Sequence, residues 1–271
     1  MVTGMQGSRA RSALAGETFC DIRWVAETDS TNDDVLALAR HGAPEGVVIV
    51  ADHQLAGRGR LGRTWQAPSG SSLLMSVLVR PGVAPGDAHL AATAVACAAV
   101  EACAAVAGIE PRLKWPNDLV ILGDDGQVGG KVAGVLAESI TEEGELTVVV
   151  VGIGLNVNWP AELPPELAGI AVALNHFAGH DIDREDLTIA LLRGLGVWRD
   201  ALDSPAGRAD LVARYIESCA TLGSTVRVDL ADESMRGVAV DITPQGHLVV
   251  HTDTGARREI VAGDVVHVRA E

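Results

Sequence analysis

The chain has 271 residues, enough for one large domain or for a main domain with a small second one. Its 21 Lys and Arg residues against 36 Asp and Glu give a formal net charge of −15, which repels phosphate backbones and argues against DNA as a partner. The sequence has neither an uninterrupted apolar run of about 18 residues nor a signal-sequence pattern, so we expect a cytoplasmic protein that does not bind membranes.

The first part of the chain predicts a tail, a helix and two strands. Residues 1–20 show no periodicity, and we expect a mobile tail that is too short for a helix-turn-helix domain, so no repressor function is expected. The cap-type residues Ser30 to Asp34 precede apolar positions at helical spacing, which predicts a helix over 32–41. Strands are predicted at Val47–Ala51 and around Leu73–Val79, with a Gly/Arg-rich loop between them.

The middle of the chain combines one long helix with a series of strands. Ala88–Ala107 is strongly helix-forming. Three strand candidates follow, joined by connections too short for crossover helices: Val120–Leu122, Val132–Ser139 and Leu146–Val151. They should pair antiparallel, which argues against a doubly wound parallel sheet.

The remaining residues predict two helices followed by a β-rich segment. Asp183 caps a helix that continues to Leu202, and a second helix is predicted over roughly 206–219. Residues 222–271 contain short β runs punctuated by Gly and Pro, which is typical of a small barrel. The predicted organisation is a tail (1–20), a main domain (21–221) and a small C-terminal domain (222–271).

The four cysteines are Cys20, Cys97, Cys103 and Cys219, and they show no C-x-x-C spacing that would indicate a metal site. Two of them lie in the alanine-rich stretch that predicts a buried helix. We therefore expect reduced thiols in the core, with a catalytic thiol as the alternative.

Three arginines lie in the glycine-rich segment Gly57–Trp65, although the chain as a whole is acidic. The glycines permit positive φ and a close backbone approach, and guanidinium groups are suited to wrapping an anion. A solvated basic loop is the alternative. The glycines also spell G-x-G-x-x-G, but Pro68 and Gly70 follow in place of a helix, so a dinucleotide fold is not indicated.

Three further motifs combine strands with polar residues. Lys114-Trp115-Pro116-Asn117-Asp118 predicts an extended segment with a sharp turn, and an ordinary β-turn is its alternative. Lys131 opens a strand in which Gly134 marks a bulge or a ligand close to the backbone. Because position 125 is Asp, Lys131 does not belong to a P-loop. Gly152-Ile153-Gly154-Leu155-Asn156 interrupts another strand, or is only its frayed end.

These segments resemble those of biotin–protein ligases in order and spacing, and Ser30-Thr31-Asn32 is similar to the first biotin-binding segment of that family. The resemblance runs from about Trp24 to the C-terminus, and it is to the monofunctional type without a DNA-binding repressor domain. It implies an α+β fold, in which a mixed sheet with helices like that of class II aminoacyl-tRNA synthetases is followed by a small SH3-like β-barrel. It also implies a ligase that forms biotinyl-AMP from biotin and ATP, then transfers biotin to a lysine of a carrier protein.

The resemblance further implies roles for individual residues. The expected catalytic residues are Lys131, Arg60 and Asp118, with Asp118 orienting or deprotonating the carrier lysine. Biotin is expected to contact Ser30, Thr31, Asn32, Gln54, Gly57, Arg58, Lys131, Gly134 and Leu136. ATP or the adenylate is expected to contact Arg60, Arg63, Trp65, Lys131 and Asn156. An ordinary core position is the alternative for Trp65.

The ligands and partners follow from the same resemblance. ATP, biotin and Mg²⁺ are expected, with the metal held by ATP phosphates because a protein cage for it is not expected. The expected partner is a biotin carboxyl carrier protein or domain of acetyl-CoA, acyl-CoA or pyruvate carboxylase, and the enzyme is expected to be a monomer or weak homodimer. A lipoate or octanoate transferase shares this fold, but the chain lacks an Arg-Arg-x-x-Gly-Gly-Gly segment. A biotin-binding module without activity would not need Lys131 together with the loop arginines.

Overall fold

The computed structural model describes residues 6–165, 167–230, 233–261 and 263–268. The helices in these residues are α1 (Ser8–Ala13), α2 (Thr31–Arg40), α3 (His89–Ala107), α4 (Asn175–Ala178), α5 (Arg184–Ala201) and α6 (Pro205–Ser218). The strands of the N-terminal sheet are β1 (Asp21–Thr28), β2 (Val47–Gln54), β3 (Ser72–Val79), β4 (Arg112–Lys114), β5 (Asp118–Leu122), β6 (Val128–Glu142) and β7 (Glu145–Asn156). The strands of the C-terminal sheet are β8 (Thr225–Asp229), β9 (Ser234–Ile242), β10 (Leu248–Thr252), β11 (Arg257–Ile260) and β12 (Asp264–His267).

The N-terminal sheet is mixed, with the strand order β1-β2-β3-β7-β6-β5-β4. β1 and β2 are parallel, whereas the other neighbouring pairs run antiparallel. The predicted antiparallel meander of β5, β6 and β7 is therefore confirmed. Short connections leave these strands no other way to pair, since a parallel pair needs a long crossover. With the helices and the C-terminal antiparallel sheet, the α+β fold class is confirmed.

Helices cover both faces of this sheet, and the two faces have separate cores. On one face α3 packs beneath the strands, and its Ala98 lies 3.4 Å from the position a Cβ would occupy at Gly194 of α5. α3 is long and apolar enough to cross a membrane, but most of it is buried in this core. On the other face α2 packs through Val35 on Val148 and Val150 of β7.

The start of α5 and the end of α3 agree with their sequence signals, whereas Ser30 at the start of α2 makes no side-chain cap hydrogen bond. The side chain of Asp183 accepts hydrogen bonds from the backbone N–H groups of Glu185 and Asp186, at 2.8 and 3.1 Å. These bonds satisfy donors that have no partner inside α5. Gly108 ends α3 with φ 66, a left-handed conformation that glycine adopts without steric cost.

The N-terminal segment differs from the predicted mobile tail over residues 6–20. α1 lies there, and Ala10, Leu14 and Phe19 are almost completely buried in the core. Arg9 also forms salt bridges with Asp183 at 2.6 Å and with Asp186 at 2.9 Å. α1 has only six residues, which are too few to show a helical period in the sequence. Its structure is stabilised by packing against α5, which the sequence alone does not predict. Residues 1–5 lie outside the described residues.

The C-terminal sheet is antiparallel, with the strand order β11-β10-β9-β8-β12, as predicted for a β-rich C-terminal unit. It is docked on the N-terminal sheet through the turn between β9 and β10. There Trp115 donates from its indole nitrogen to the backbone oxygen of Gly246 at 3.0 Å. His89 at the start of α3 contacts the backbone oxygen of Gln245 in the same turn.

The cysteines follow the predicted pattern except for Cys20. Cys97, Cys103 and Cys219 are buried and unpaired, whereas Cys20 is exposed just before β1. Burial raises the pKa of both Cys97 and Cys103 to about 12, so these thiols stay protonated at neutral pH. The expectation of core thiols is wrong for Cys20, because that position precedes an edge strand.

Candidate active site

An open cleft lies on the sheet face that carries α2. It encloses about 1200 Å³ including the solvent at its mouth. Of the residues with expected roles, the cleft is lined by Ser30, Thr31, Asn32, Gln54, Arg58, Arg60, Arg63, Trp65, Asp118, Lys131, Gly134, Leu136 and Asn156. Segments far apart in the sequence thus converge on one site. Gly57, which was expected to contact biotin, is not part of the lining.

Gly57 lies at the base of the arginine-rich loop, where the two ends of the loop meet. Its backbone oxygen accepts a hydrogen bond from the Trp65 N–H at 2.9 Å. A Cβ at this position would lie 2.6 Å from the backbone oxygen of Trp65, which is too close for any side chain. The sequence therefore needs glycine here to close the loop, and the expected biotin contact is not evident from the geometry.

Glycines form the floor of the cleft. Gly134 of β6 and Gly154 of β7 face each other across the sheet. A Cβ at Gly154 would lie 2.4 Å from the indole ring of Trp65, and one at Gly134 would lie 3.0 Å from it. The missing side chains thus make room for a flat ring on the sheet. The indole nitrogen of Trp65 is buried there without a hydrogen-bond partner.

A β-bulge directs Lys131 into the cleft. Leu119 of β5 pairs with Ala133, but Val120 pairs with Lys131, so Val132 is an extra residue in β6. In a regular strand, Lys131 and Gly134 would point to opposite faces. The extra residue restores them to the same face, and Lys131 Nζ lies 3.0 Å from the Cβ position of Gly134.

A carboxylate, an indole ring and a second lysine lie close to the ammonium group of Lys131. Its Nζ atom lies 2.6 Å from a carboxylate oxygen of Asp118 and 5.3 Å from the centroid of the Trp65 ring. Lys114 approaches the same carboxylate at 4.0 Å. The lysine, the carboxylate and the indole therefore form one compact cluster at the glycine floor, where an anionic group could replace or join the carboxylate.

Uncharged polar side chains occupy the end of the cleft beside α2. The Thr31 backbone N–H donates to Gln54 Oε1 at 2.8 Å. Ser76 of β3 donates to Asn32 Oδ1 at 2.6 Å and contacts the Thr31 hydroxyl at 2.7 Å. Gly152 leaves the space for Asn32, since a Cβ there would lie 2.3 Å from Asn32 Oδ1. This end suits a neutral, hydrogen-bonding ligand group.

Each arginine of the loop has a different set of partners. Arg58 binds both oxygens of Asp33, at 2.6 and 2.7 Å, and these contacts raise its pKa. Arg63 forms a salt bridge with Asp264 of β12.

Arg60 donates to Asn117 Oδ1 at 3.2 Å and to the Gly263 backbone oxygen at 3.4 Å, with no direct carboxylate partner among the described residues. Its burial lowers its pKa. Arg60 is therefore the loop arginine most available to a bound anion.

Asn156 ends β7 at the far side of the floor. Its Nδ2 donates to the backbone oxygen of Val172 at 2.9 Å, while its Oδ1 is buried without a partner. A buried acceptor without a partner is costly, so a ligand N–H or O–H would be favoured at this atom.

Several lining residues have no counterpart in the sequence predictions. They include Asn117 and Asp264 at the loop, and Leu167, Ile170 and Ala171. Ser76 is not part of the lining, but it supports the polar end from beneath and was not predicted either. Ser76 has a sequence signal, because it is the one polar residue within Leu73–Val79. Asp264 has none, since only the folded chain brings β12 to the loop.

Comparison with known proteins identifies the class. Residues 24–156 match the biotin/lipoate A/B protein ligase family, and residues 221–268 match the biotin protein ligase C-terminal domain. The biotin–[acetyl-CoA-carboxylase] ligase of Mycobacterium tuberculosis is 40% identical over 94% of this chain and 92% of its own length. The enzyme of that name from Paracoccus denitrificans is 32% identical over 89% of this chain and 98% of its own.

A solved structure shares the fold. The biotin protein ligase from Aquifex aeolicus in complex with biotin and ATP matches with a TM-score of 0.74 and 27% identity, covering 93% of this chain and 100% of that one. Sequence and structure agree, and the chain belongs to the biotin protein ligase family.

Proposed function

We propose that this biotin protein ligase activates biotin with ATP to form biotinyl-AMP and then transfers biotin to one lysine of a carrier protein. The observation that carries the proposal is the composition of the cleft. A neutral polar end at Asn32 is joined to a cationic end at Lys131 and Arg60, in a chain of net charge −15. Such a site suits a ligand with a polar uncharged ring and an anionic tail.

In the adenylation step, a carboxylate oxygen of biotin attacks the α-phosphorus of ATP and pyrophosphate leaves. Two anions approach each other in this step, so cations must lie where the charge accumulates. We assign this role to Lys131, Arg60 and Arg63. In our assignment Trp65 and Asn156 contact the adenylate, with the Asn156 Oδ1 atom accepting a hydrogen bond.

In the transfer step, the amine of the carrier lysine attacks the anhydride carbonyl and AMP leaves with the bonding electrons. The amine must lose a proton, and we assign its acceptance to Asp118. Asp118 lines the same cleft as Lys131 and lies 2.6 Å from its ammonium group, so its carboxylate is placed where the reacting groups would meet.

We assign recognition of the biotin ring to the polar end of the cleft, formed by Ser30, Thr31, Asn32 and Gln54. Gly134 in the floor and Leu136 beside it would contact the ligand, and the base of the loop at Gly57 and Arg58 would close over it. The buried hydroxyl and amide groups there are held by one another and offer fixed positions to a ureido ring.

Magnesium would act with ATP rather than in a protein cage. Among the residues that the structure describes, no group of three His, Cys, Asp or Glu side chains could hold a metal ion. The ion would therefore be coordinated mainly by phosphate oxygens, where it neutralises charge on the leaving pyrophosphate.

The wider setting of the enzyme completes the proposal. We assign catalysis to residues 21–221 and a supporting role to residues 222–271. The partner is a biotin carboxyl carrier domain of acetyl-CoA, acyl-CoA or pyruvate carboxylase, and the enzyme works in the cytoplasm as a monomer or weak homodimer. The names of the relatives support the acetyl-CoA carboxylase partner.

Intact-mass spectrometry tests the proposal. The protein is incubated with biotin, ATP, Mg²⁺ and an unmodified carrier domain, and the carrier is expected to gain the mass of one biotinyl group. A carrier with its acceptor lysine changed to arginine is the matched control and should stay unmodified. An unchanged mass of the first carrier would contradict the proposed transfer.

A further inference from the structure

Glu138 of β6 lies outside the lining of the cleft, yet its carboxylate contacts two residues with proposed roles in binding. Asn32 donates from Nδ2 to Glu138 Oε2 at 2.7 Å. Arg58 donates from Nη2 to the same oxygen at 3.1 Å and lies 3.3 Å from Oε1. One carboxylate thus joins the polar end of the cleft to the arginine-rich loop.

The hydrogen bonds around Asn32 fix the direction of its side-chain amide. Ser76 uses its single proton to donate to Asn32 Oδ1 at 2.6 Å. The Thr31 hydroxyl donates to Gln54 Oε1 at 3.0 Å and also lies 2.7 Å from the Ser76 hydroxyl. Glu138 Oε2 accepts from Asn32 Nδ2 at 2.7 Å, and the backbone oxygen of Leu136 accepts from it at 3.4 Å, so the NH₂ group is held on the side of β6. The amide is therefore oriented from both ends.

We propose that Glu138 is a positioning residue that couples recognition of the biotin ring at Asn32 to the position of Arg58 in the loop. This proposal rests on the proposed function, because it requires that the cleft binds biotin. A ligand that binds Asn32 alters the existing hydrogen bond between Asn32 and Glu138. This alteration changes how firmly the Glu138 carboxylate holds Arg58. Linkage of this kind acts equally in both directions.

Asp33 provides a control within the same ion-pair cluster. It holds Arg58 through both of its carboxylate oxygens, at 2.6 and 2.7 Å. Its side chain is half exposed, and among the described contacts it does not reach Asn32. Loss of Asp33 therefore loosens Arg58 alone, whereas loss of Glu138 affects both Arg58 and Asn32.

Three variants separate these effects. Glu138→Gln keeps an acceptor for Asn32 but removes the charge that holds Arg58, Glu138→Ala removes both contacts, and Asp33→Asn affects Arg58 only. Biotin affinity is measured by calorimetry without ATP, and loop accessibility by the rate of trypsin cleavage after Arg58. Circular dichroism and the melting temperature establish that each variant is folded.

We expect Glu138→Ala to weaken biotin binding by about tenfold, equivalent to about 1.4 kcal/mol. Asp33→Asn and Glu138→Gln should stay within about twofold of wild type, since a loss of about 0.4 kcal/mol lies within the range of exposed charge pairs. Biotin should alter cleavage after Arg58 in wild type but not in Glu138→Gln. In an Asn32→Ala background, Glu138→Ala should cause no further loss of affinity.

The same measurements can overturn the inference. Equal losses in Glu138→Ala and Asp33→Asn would mean that Glu138 acts only through Arg58. A full further loss in the Asn32→Ala background would also contradict it, as would a biotin-dependent change in cleavage that survives in Glu138→Gln. Failure of wild type to bind biotin would instead contradict the proposed function.

Discussion

The ammonium group of Lys131 lies 2.6 Å from the carboxylate of Asp118, and both side chains line the cleft. The contact depends on the extra residue Val132, which turns Lys131 to the same face as the glycine floor. About a third of the Lys131 side chain is exposed, so the ammonium group is accessible to a ligand while it is held in place. This relationship supports a role for both residues in the chemistry.

We predict that Lys131→Ala folds normally but loses adenylation activity by several orders of magnitude. The lysine contributes little to the core, and it would stabilise phosphate charge that develops in the transition state, where a single electrostatic contact is worth about 10²–10³ in rate or more. The measurement is biotin-dependent formation of adenylate. Lys131→Arg is the matched control, since it keeps the charge and should retain more activity. Near-normal rates in a folded Lys131→Ala variant would show that the assignment is wrong.

We predict that Arg60→Gly releases biotinyl-AMP faster. A charge-assisted hydrogen bond contributes about 1.5–3 kcal/mol, so escape should rise by about ten- to a hundredfold if the contact is lost on release. Escaped adenylate acylates lysines indiscriminately, so biotin incorporated into an unrelated bystander protein measures the effect. Leu61→Gly is a suitable control, because Leu61 has φ 57 and glycine fits this conformation without loss of charge. Equal bystander labelling by wild type and Arg60→Gly, with adenylate synthesis intact, would contradict the prediction.

We predict that deletion of residues from 222 onward impairs adenylation. Gly263 and Asp264 contact Arg60 and Arg63, so the C-terminal sheet holds part of the arginine-rich loop. Asp264→Asn in the full chain should have a smaller effect of about two- to fivefold, because an exposed pair contributes about 0.2–1 kcal/mol. A folded truncation that forms adenylate at the full rate would show that this contact is dispensable.

We predict a loss of stability in mild acid that depends on His267. Burial, assisted by Lys114, lowers the pKa of His267 from 6.5 to about 4, so the folded state favours the neutral ring. The unfolded state then binds more protons between these values, and stability falls as the pH decreases from about 6.5 to about 4. Urea unfolding of wild type and His267→Gln checks this, and the variant should lose less stability over that range. Parallel pH profiles would contradict the assignment.

The sequence predicted the parts of the fold that depend on local patterns. Caps and periodicity identified α2, α3 and α5, and the short connections identified the antiparallel strands. α1 and β1 were not predicted, because neither has a regular apolar period and both are stabilised by contacts with distant elements. The bulge at Val132 likewise depends on the register between β5 and β6, which Gly134 only suggested.

The candidate site was predicted less completely than the fold. Motifs identified the arginines, Lys131 and Asp118, but not Asp33, Glu138 and Asp264 as the carboxylates that hold Arg58 and Arg63. Three guanidinium groups in one short loop would repel one another, but the structure pairs Arg58 with Asp33 and Arg63 with Asp264. Mutual repulsion is therefore not a reason for an open loop.

Exchange of labelled pyrophosphate into ATP measures the proposed adenylation itself, because it requires reversible formation of biotinyl-AMP and no carrier protein. We expect the purified protein to catalyse exchange that depends on biotin and that is lost in Lys131→Ala. Absence of exchange by folded wild-type protein with biotin, ATP and Mg²⁺, or exchange that is unchanged when biotin is omitted, would contradict it.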